Sequence, residues 1–159
     1  MKKSWLLCTF ANFFIASLMG LLLRWMYVAP IEGVNFQFLM HGHSHVAMLG
    51  WVYLMLYCLI FHFFVPKKAQ QKPIYNRLFW VTELAIVGMI IDFPAQGYAF
   101  VSILFSTLHI FCSYYFCYLI WKDAKPSTFP EKRMLRTALF FMVFSTLGVW
   151  CLGPAVGLL

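Results

Sequence analysis

Histidines inside apolar sequence are the residues of this chain most able to do chemistry. His41, His43 and His45 occupy alternate positions before an apolar run, and His109 lies in a separate apolar stretch. Ionisable side chains are costly inside a bilayer and mark functional sites there. Imidazole nitrogens bind haem iron, copper and zinc. The four histidines are therefore candidate ligands of a metal ion or of a metal-containing cofactor.

Helical geometry separates these histidines into two directions. At about 100° per residue, His41 and His45 share a helix face, and His43 points about 160° away from His45. Counted from the outer ends of their helices at 1.5 Å per residue, His45 lies roughly 10 Å deep and His109 roughly 16 Å deep. Because a tilt of the helices compensates for this difference in depth, His45 and His109 are predicted to lie on either side of one bound group. A stripe of small residues turns His109 towards the other helices; its members are Ser102, Ser106 and Ser113.

The first interpretation of this pattern is a b-type haem held between two helices. Imidazoles from His45 and His109 would occupy both axial positions of the iron and leave it suited to electron transfer. His43 is the alternative ligand on the first of these helices, because Ala47 and Gly50 extend its face as a small-residue stripe. Arg24 is the only basic residue near the outer side, and it has two interpretations. It either neutralises the haem propionates, or it pairs with Glu32 or Asp92 or extends to the lipid head groups.

Two other interpretations remain open. His41 and His45 are four residues apart and could chelate copper or zinc, with Met40 or Met48 as softer partners for copper; His43 and His109 are further candidate metal ligands. Alternatively, the histidines hold no cofactor and bond backbone carbonyls or lipid head groups. The chain would then be a structural or assembly subunit.

The elements that position these residues follow from composition. Of 159 residues, 63% are hydrophobic and only 11% are charged, whereas soluble domains are about 25% charged. A bilayer core needs roughly 20 helical residues, and five segments satisfy this length. We expect one all-α membrane domain over residues 1–159, a bundle of five spans at about 4–29, 38–65, 77–93, 97–121 and 134–157. The break between the third and fourth spans is placed at Pro94 and Gly97.

The basic residues predict the orientation of these spans. Except for Arg24, all Lys and Arg side chains fall before the first span or in two of the four connections. The positive-inside rule assigns these segments to the cytoplasm, so the amino terminus is predicted to be cytoplasmic. The net charge of +7 is therefore explained by the orientation of the spans in the membrane, and we expect no nucleic-acid partner. These residues are Lys2, Lys3, Lys67, Lys68, Lys72, Arg77, Lys122, Lys125, Lys132, Arg133 and Arg136.

Two polar residues inside the predicted spans have a structural interpretation. Glu83 lies about 9 Å beyond Arg77 towards the membrane interior, and Asn12 lies in the first span. Each is predicted to make an interhelical hydrogen bond, with a proton path through Glu83 as the alternative. The five cysteines include no C-x-x-C pair and are interpreted as free buried thiols.

The segment from Met40 to Trp51, MHGHSHVAMLGW, resembles an early helix of the haem-copper oxidase subunit I superfamily. The likeness is closest to cbb3-type and nitric-oxide-reductase-like subunits, in which an H-x-H-x-x-x-L-G-W pattern recurs. The resemblance implies that His45 ligates a low-spin haem, with His43 as the alternative, and that the chain serves respiratory electron transfer. It covers the amino-terminal part of that superfamily only. We therefore expect no binuclear centre, and no oxygen or nitric oxide reduction by this chain alone.

The location and partners follow from these expectations. We expect a multi-pass protein of the inner (plasma) membrane, with the lipid bilayer as its solvent. Further membrane subunits or a homo-oligomer are the expected protein partners.

Overall fold

A computed structural model describes residues 2–125 and 128–147, and the regular structure in these ranges is entirely helical. Two long helices come first, followed by a single short turn of helix and three further helices. We number them α1 to α6 in chain order: α1 Lys3–Met26, α2 Phe36–Phe64, α3 Lys67–Gln70, α4 Pro73–Gln96, α5 Phe100–Asp123 and α6 Phe129–Phe144.

Four of the described helices, α1, α2, α4 and α5, are long and apolar enough to cross a membrane. Their outward faces carry large apolar side chains that water would not tolerate in such numbers; on α1 these include Leu7, Phe10, Phe14 and Leu21. The chain is therefore an all-α, multi-pass membrane protein. The predicted fifth span, 134–157, begins within α6, and its part beyond residue 147 lies outside the described residues.

The boundary between α4 and α5 differs from the prediction in one respect. Pro94 was expected to break the helix, but α4 continues through it and ends at Gln96. Proline removes one backbone donor, and its position in the last turn limits that loss to a single hydrogen bond. The chain turns instead at Gly97, whose φ of 64° suits a residue without a Cβ.

An aromatic core holds the basic end of the bundle together. Trp5 of α1 is fully buried and stacks on Phe79 of α4, with ring centroids 4.7 Å apart. Tyr57 of α2 touches the same indole edge-on and stacks on Phe116 of α5 at 3.9 Å. Four helices thus meet around two buried rings. Aromatic pairs of this kind add about 0.5–1.5 kcal/mol each beyond their burial.

The middle of α2, Val46–Tyr53, is a π-helix. Its backbone hydrogen bonds span five residues instead of four. Gly50 lies in this segment, and a Cβ there would be 3.1 Å from Ile86 of α4 and 3.2 Å from Asn12 of α1. The missing side chain therefore lets three helices approach closely where α2 widens.

The basic residues gather at one end of the bundle. Lys2 Nζ donates to Asn76 Oδ1 at 2.8 Å, which ties the start of α1 to the start of α4. Lys72 Nζ donates to the Asp123 carboxylate at 2.7 Å, which joins the start of α4 to the end of α5. The segments that the distribution of Lys and Arg assigns to one membrane face are therefore neighbours in the fold.

Candidate functional site

A cavity of about 380 Å³ lies between α2, α5 and α6, towards the end of the bundle opposite the basic residues. The volume falls in the range of about 300–1,000 Å³ that small-molecule and cofactor sites occupy. No Asp, Glu, Lys or Arg side chain is among the described residues that line it. The lining residues are Ser44, His45, Met48, Leu49, Tyr53, Ser106, His109, Ile110, Ser113, Met142, Ser145 and Thr146.

His45 reaches this cavity from the last α-helical turn before the π-helix. Its imidazole stacks on Phe93 of α4, with centroids 4.3 Å apart and planes inclined by 16°. Its Nε2 lies 3.3 Å from the hydroxyl of Tyr98. Metal-binding histidines commonly use one nitrogen for an orienting hydrogen bond and the other for the metal. The surroundings of His45 hold its ring in this manner.

His109 reaches the same cavity from α5. The residue is only 2% exposed, and its Nε2 is buried without a hydrogen-bond partner. An unpaired polar atom in this setting costs about 1–3 kcal/mol. The structure therefore brings together the two histidines that depth and helix phase had paired, and it leaves one of their nitrogens without a partner.

Tyr53 is the cavity residue that sequence reasoning missed. It ends the π-helix and is 8% exposed, and its ring meets that of His109 edge-on at 4.7 Å. Its hydroxyl is also buried without a partner. Within residues 2–125 and 128–147, these two are the only buried side-chain polar atoms left unpaired, and both belong to residues of one cavity. The sequence could not indicate this, because a tyrosine in an apolar helix does not show whether its hydroxyl will face a cavity without a partner.

The other hydroxyls at the cavity already have acceptors within their own helices. Ser44 donates to the Met40 carbonyl at 2.9 Å, Ser106 to that of Ser102 at 2.8 Å, and Ser113 to that of Ile110 at 2.7 Å. Ser145 and Thr146 follow the end of α6 and donate to the carbonyls of Met142 and Val143 in its last turn, and Thr146 also bonds the Tyr114 hydroxyl. Tyr53 is therefore the one described hydroxyl at this cavity whose proton is not engaged.

The remaining predicted ligands lie elsewhere. His43 faces α1, where its Nδ1 lies 2.9 Å from the Ala16 carbonyl oxygen. His41 packs edge-on against Tyr98 at 4.7 Å and does not line the cavity. Arg24 is exposed on α1, a helix that contributes nothing to the cavity wall. Arg24 is therefore not among the described residues that line the cavity.

The donors available for a bare metal ion are few. No group of three or more His, Cys, Asp or Glu side chains is arranged to hold a metal anywhere in the described ranges. The cavity adds two thioethers to its two imidazoles, those of Met48 and Met142. Met40, the other methionine considered from sequence, is absent from the lining.

Comparison with family models, with curated proteins and with solved structures finds no match to this chain.

Proposed function

We propose that this protein binds a b-type haem between α2 and α5, which His45 and His109 would hold, and takes part in membrane electron transfer. The observation that carries the proposal is the shared cavity. Two imidazoles from different helices line it, and one of them has a buried nitrogen without a partner. The resemblance of the His45 segment to haem-binding helices is consistent with this role.

The number of donors favours haem over zinc. Structural zinc takes four protein ligands and catalytic zinc takes three, whereas a haem brings four nitrogens of its own and needs only axial ligands from the protein. The described residues offer two imidazoles and no carboxylate or thiolate at the cavity. A haem with both axial positions filled supplies one-electron transfer.

Each residue at the cavity would have a defined task. His45 and His109 would bind the iron, and Phe93 and Tyr98 would hold the plane of the His45 imidazole. Tyr53 would donate its unengaged proton to an acceptor on the bound group. The apolar wall of Met48, Leu49 and Ile110 would exclude water.

An absorption spectrum of the detergent-purified chain, oxidised and dithionite-reduced, tests the proposal. We expect a sharp reduced α-band, and we expect H45A and H109A each to abolish it because either leaves the iron with one protein ligand. H43A is the matched control, since His43 is two residues from His45 but faces α1, and it should retain the band. A colourless protein after expression with added haem precursor, or loss of the band in H43A alone, would contradict the proposal.

A copper site is the second candidate, favoured by the two methionines at the cavity. Imidazole and thioether ligands together select copper, and His45, His109, Met48 and Met142 all line one space. Such a protein would deliver or sense copper without catalysing a reaction.

Metal analysis separates the two candidates. M48L removes a copper ligand but no haem ligand, so it should lower bound copper under the second proposal and leave the haem band intact under the first. M40L is the control, because Met40 lies one turn from Ser44 and does not line the cavity. Stoichiometric copper in a colourless protein, reduced by M48L and not by M40L, would replace the haem proposal.

We further propose that α6 continues into a fifth span and that the basic end is cytoplasmic, in the inner membrane of a bacterial-type cell. The positive-inside rule and the contacts that join the basic segments support this orientation. Reporter fusions at residues 1 and 159 should report opposite sides of the membrane. Both on one side would leave four spans.

A further inference from the structure

A second, smaller cleft lies at the basic end, between the end of α5 and the start of α6. Its volume is about 40 Å³. One part of its wall is cationic, from Lys132 and Arg136, and the other is apolar. The apolar part consists of Ile120, Trp121, Ala124, Leu135 and Leu139.

The acidic residues nearest this cleft in the sequence have partners of their own. Asp123 is bound to Lys72 at 2.7 Å, and Glu131 accepts from the Thr128 backbone N–H at the start of α6. Two exposed cations, Lys132 and Arg136, border the cleft.

Arg136 is oriented by an aromatic ring. Its guanidinium carbon lies 4.7 Å from the centroid of the Trp121 indole. A guanidinium over a ring face keeps its N–H groups directed outward in its own plane, where they match two oxygens of a phosphate. Tryptophan is also enriched at the membrane–water border, so we expect the cleft to lie at the depth of lipid head groups.

We infer that this cleft binds an anionic phospholipid, with its phosphate between Lys132 and Arg136 and an acyl chain beside the indole of Trp121, which is 60% exposed. Charge complementarity selects an anion, and the exposed tryptophan, a residue typical of the membrane border, favours one that carries a chain. Basic pockets between membrane helices at the cytoplasmic face bind such lipids. The site is separate from the histidine cavity and does not depend on its occupant.

Native mass spectrometry of the full chain in neutral detergent tests this inference. We expect phosphatidylglycerol to bind about 30-fold more tightly than phosphatidylcholine with the same acyl chains. The reason is that Lys132 and Arg136 would each attract the anionic head group as one cation near the membrane surface does. The variant K132Q/R136Q should lose this preference. K67Q/K68Q is the matched control, because it removes two charges from the same end but from α3, away from the cleft, and it should keep the preference.

Three results would overturn the inference. These are equal binding of the two lipids, equal loss of preference in the control, and binding of glycerol 1-phosphate as tightly as the lipid, which would indicate a site for free phosphate. Unfolding of each variant without added lipid shows whether it is folded. If K132Q/R136Q does not fold, the single variants K132Q and R136Q replace it, each with an expected loss of about fivefold.

Discussion

Asn12 of α1 donates its side-chain amide to the carboxylate of Glu83 of α4, at 2.9 Å to Oε2 and 3.2 Å to Oε1. The same amide nitrogen lies 3.3 Å from the Gly50 carbonyl oxygen in the π-helix. Both side chains are buried. The interhelical hydrogen bonds expected from sequence for Asn12 and Glu83 are thus made to each other, and the contact of Asn12 with Gly50 adds α2 at the level of the π-helix.

Removing Asn12 should destabilise the bundle through the partner it leaves behind. N12L leaves Glu83 buried without its donor, at a cost of about 1–3 kcal/mol, and N12L/E83L should recover most of that loss because neither polar group remains. Denaturant titration in micelles measures both. S17A on the exposed face of α1 is the control and should change stability by less than about 0.5 kcal/mol. Additive losses in the double variant would contradict the coupling.

Tyr53 and Tyr57 should respond in opposite directions to loss of their hydroxyls. The Tyr57 hydroxyl donates to the Tyr75 carbonyl at 2.8 Å, whereas that of Tyr53 has no partner. In cofactor-free protein, Y57F should lower the free energy of unfolding by about 1 kcal/mol, and Y53F should leave it unchanged or raise it. The same titration compares the two. Equal destabilisation would mean that the Tyr53 hydroxyl is already satisfied without a cofactor.

The contact between α4 and α5 depends on a residue without a side chain. A Cβ at Gly88 would lie 2.4 Å from the Phe105 ring, so G88A must displace that ring and should cost about 1–3 kcal/mol. F105L in the G88A background frees the space and should restore part of the loss. Thermal unfolding of the two variants is the measurement. An unchanged melting temperature in G88A would show that these helices are not packed this closely.

The ion pair between Lys72 and Asp123 at the basic end should contribute little. The side chains of Lys72 and Asp123 are 46% and 9% exposed, and the Asp123 carboxylate keeps a second donor in the Tyr75 hydroxyl at 3.1 Å, so we expect a contribution in the range of surface pairs, about 0–1 kcal/mol. K72Q should therefore lower stability by less than about 1 kcal/mol, and the difference from wild type should shrink as salt is raised. Unfolding at two ionic strengths tests this. A larger loss that is independent of salt would indicate a buried role for Lys72.

The helices could be predicted from sequence because membrane spans depend on one property, a long apolar run. The observed α1, α2, α4 and α5 each overlap a predicted span, and the divergent directions of His43 and His45 follow from helix phase. The exact residue at which a span ends is harder to predict, because one proline near a helix end does not decide where the helix stops. This is why Pro94 was misplaced as a helix boundary.

The π-helix and the role of Tyr53 could not be predicted in the same manner. Val46–Tyr53 has the composition of any apolar span, and its Gly50 lies close to Asn12 and Ile86, which are far apart in the sequence, only in the folded bundle. Tyr53 is notable only because its hydroxyl lacks a partner in the folded bundle. Both properties arise from tertiary packing.

The π-helix also sets the rotational phase between the two halves of α2. The half before it presents His45 to α5 and α6 and His43 to α1, while the half after it presents Tyr57 to the aromatic core. An α-helix turns about 100° per residue, and a π-helix, with more residues per turn, turns less. If the same eight residues returned to α-helical pitch, the first half would rotate relative to the second and both histidines would leave their partners, so the pitch of this segment is under stricter constraint than its residue types.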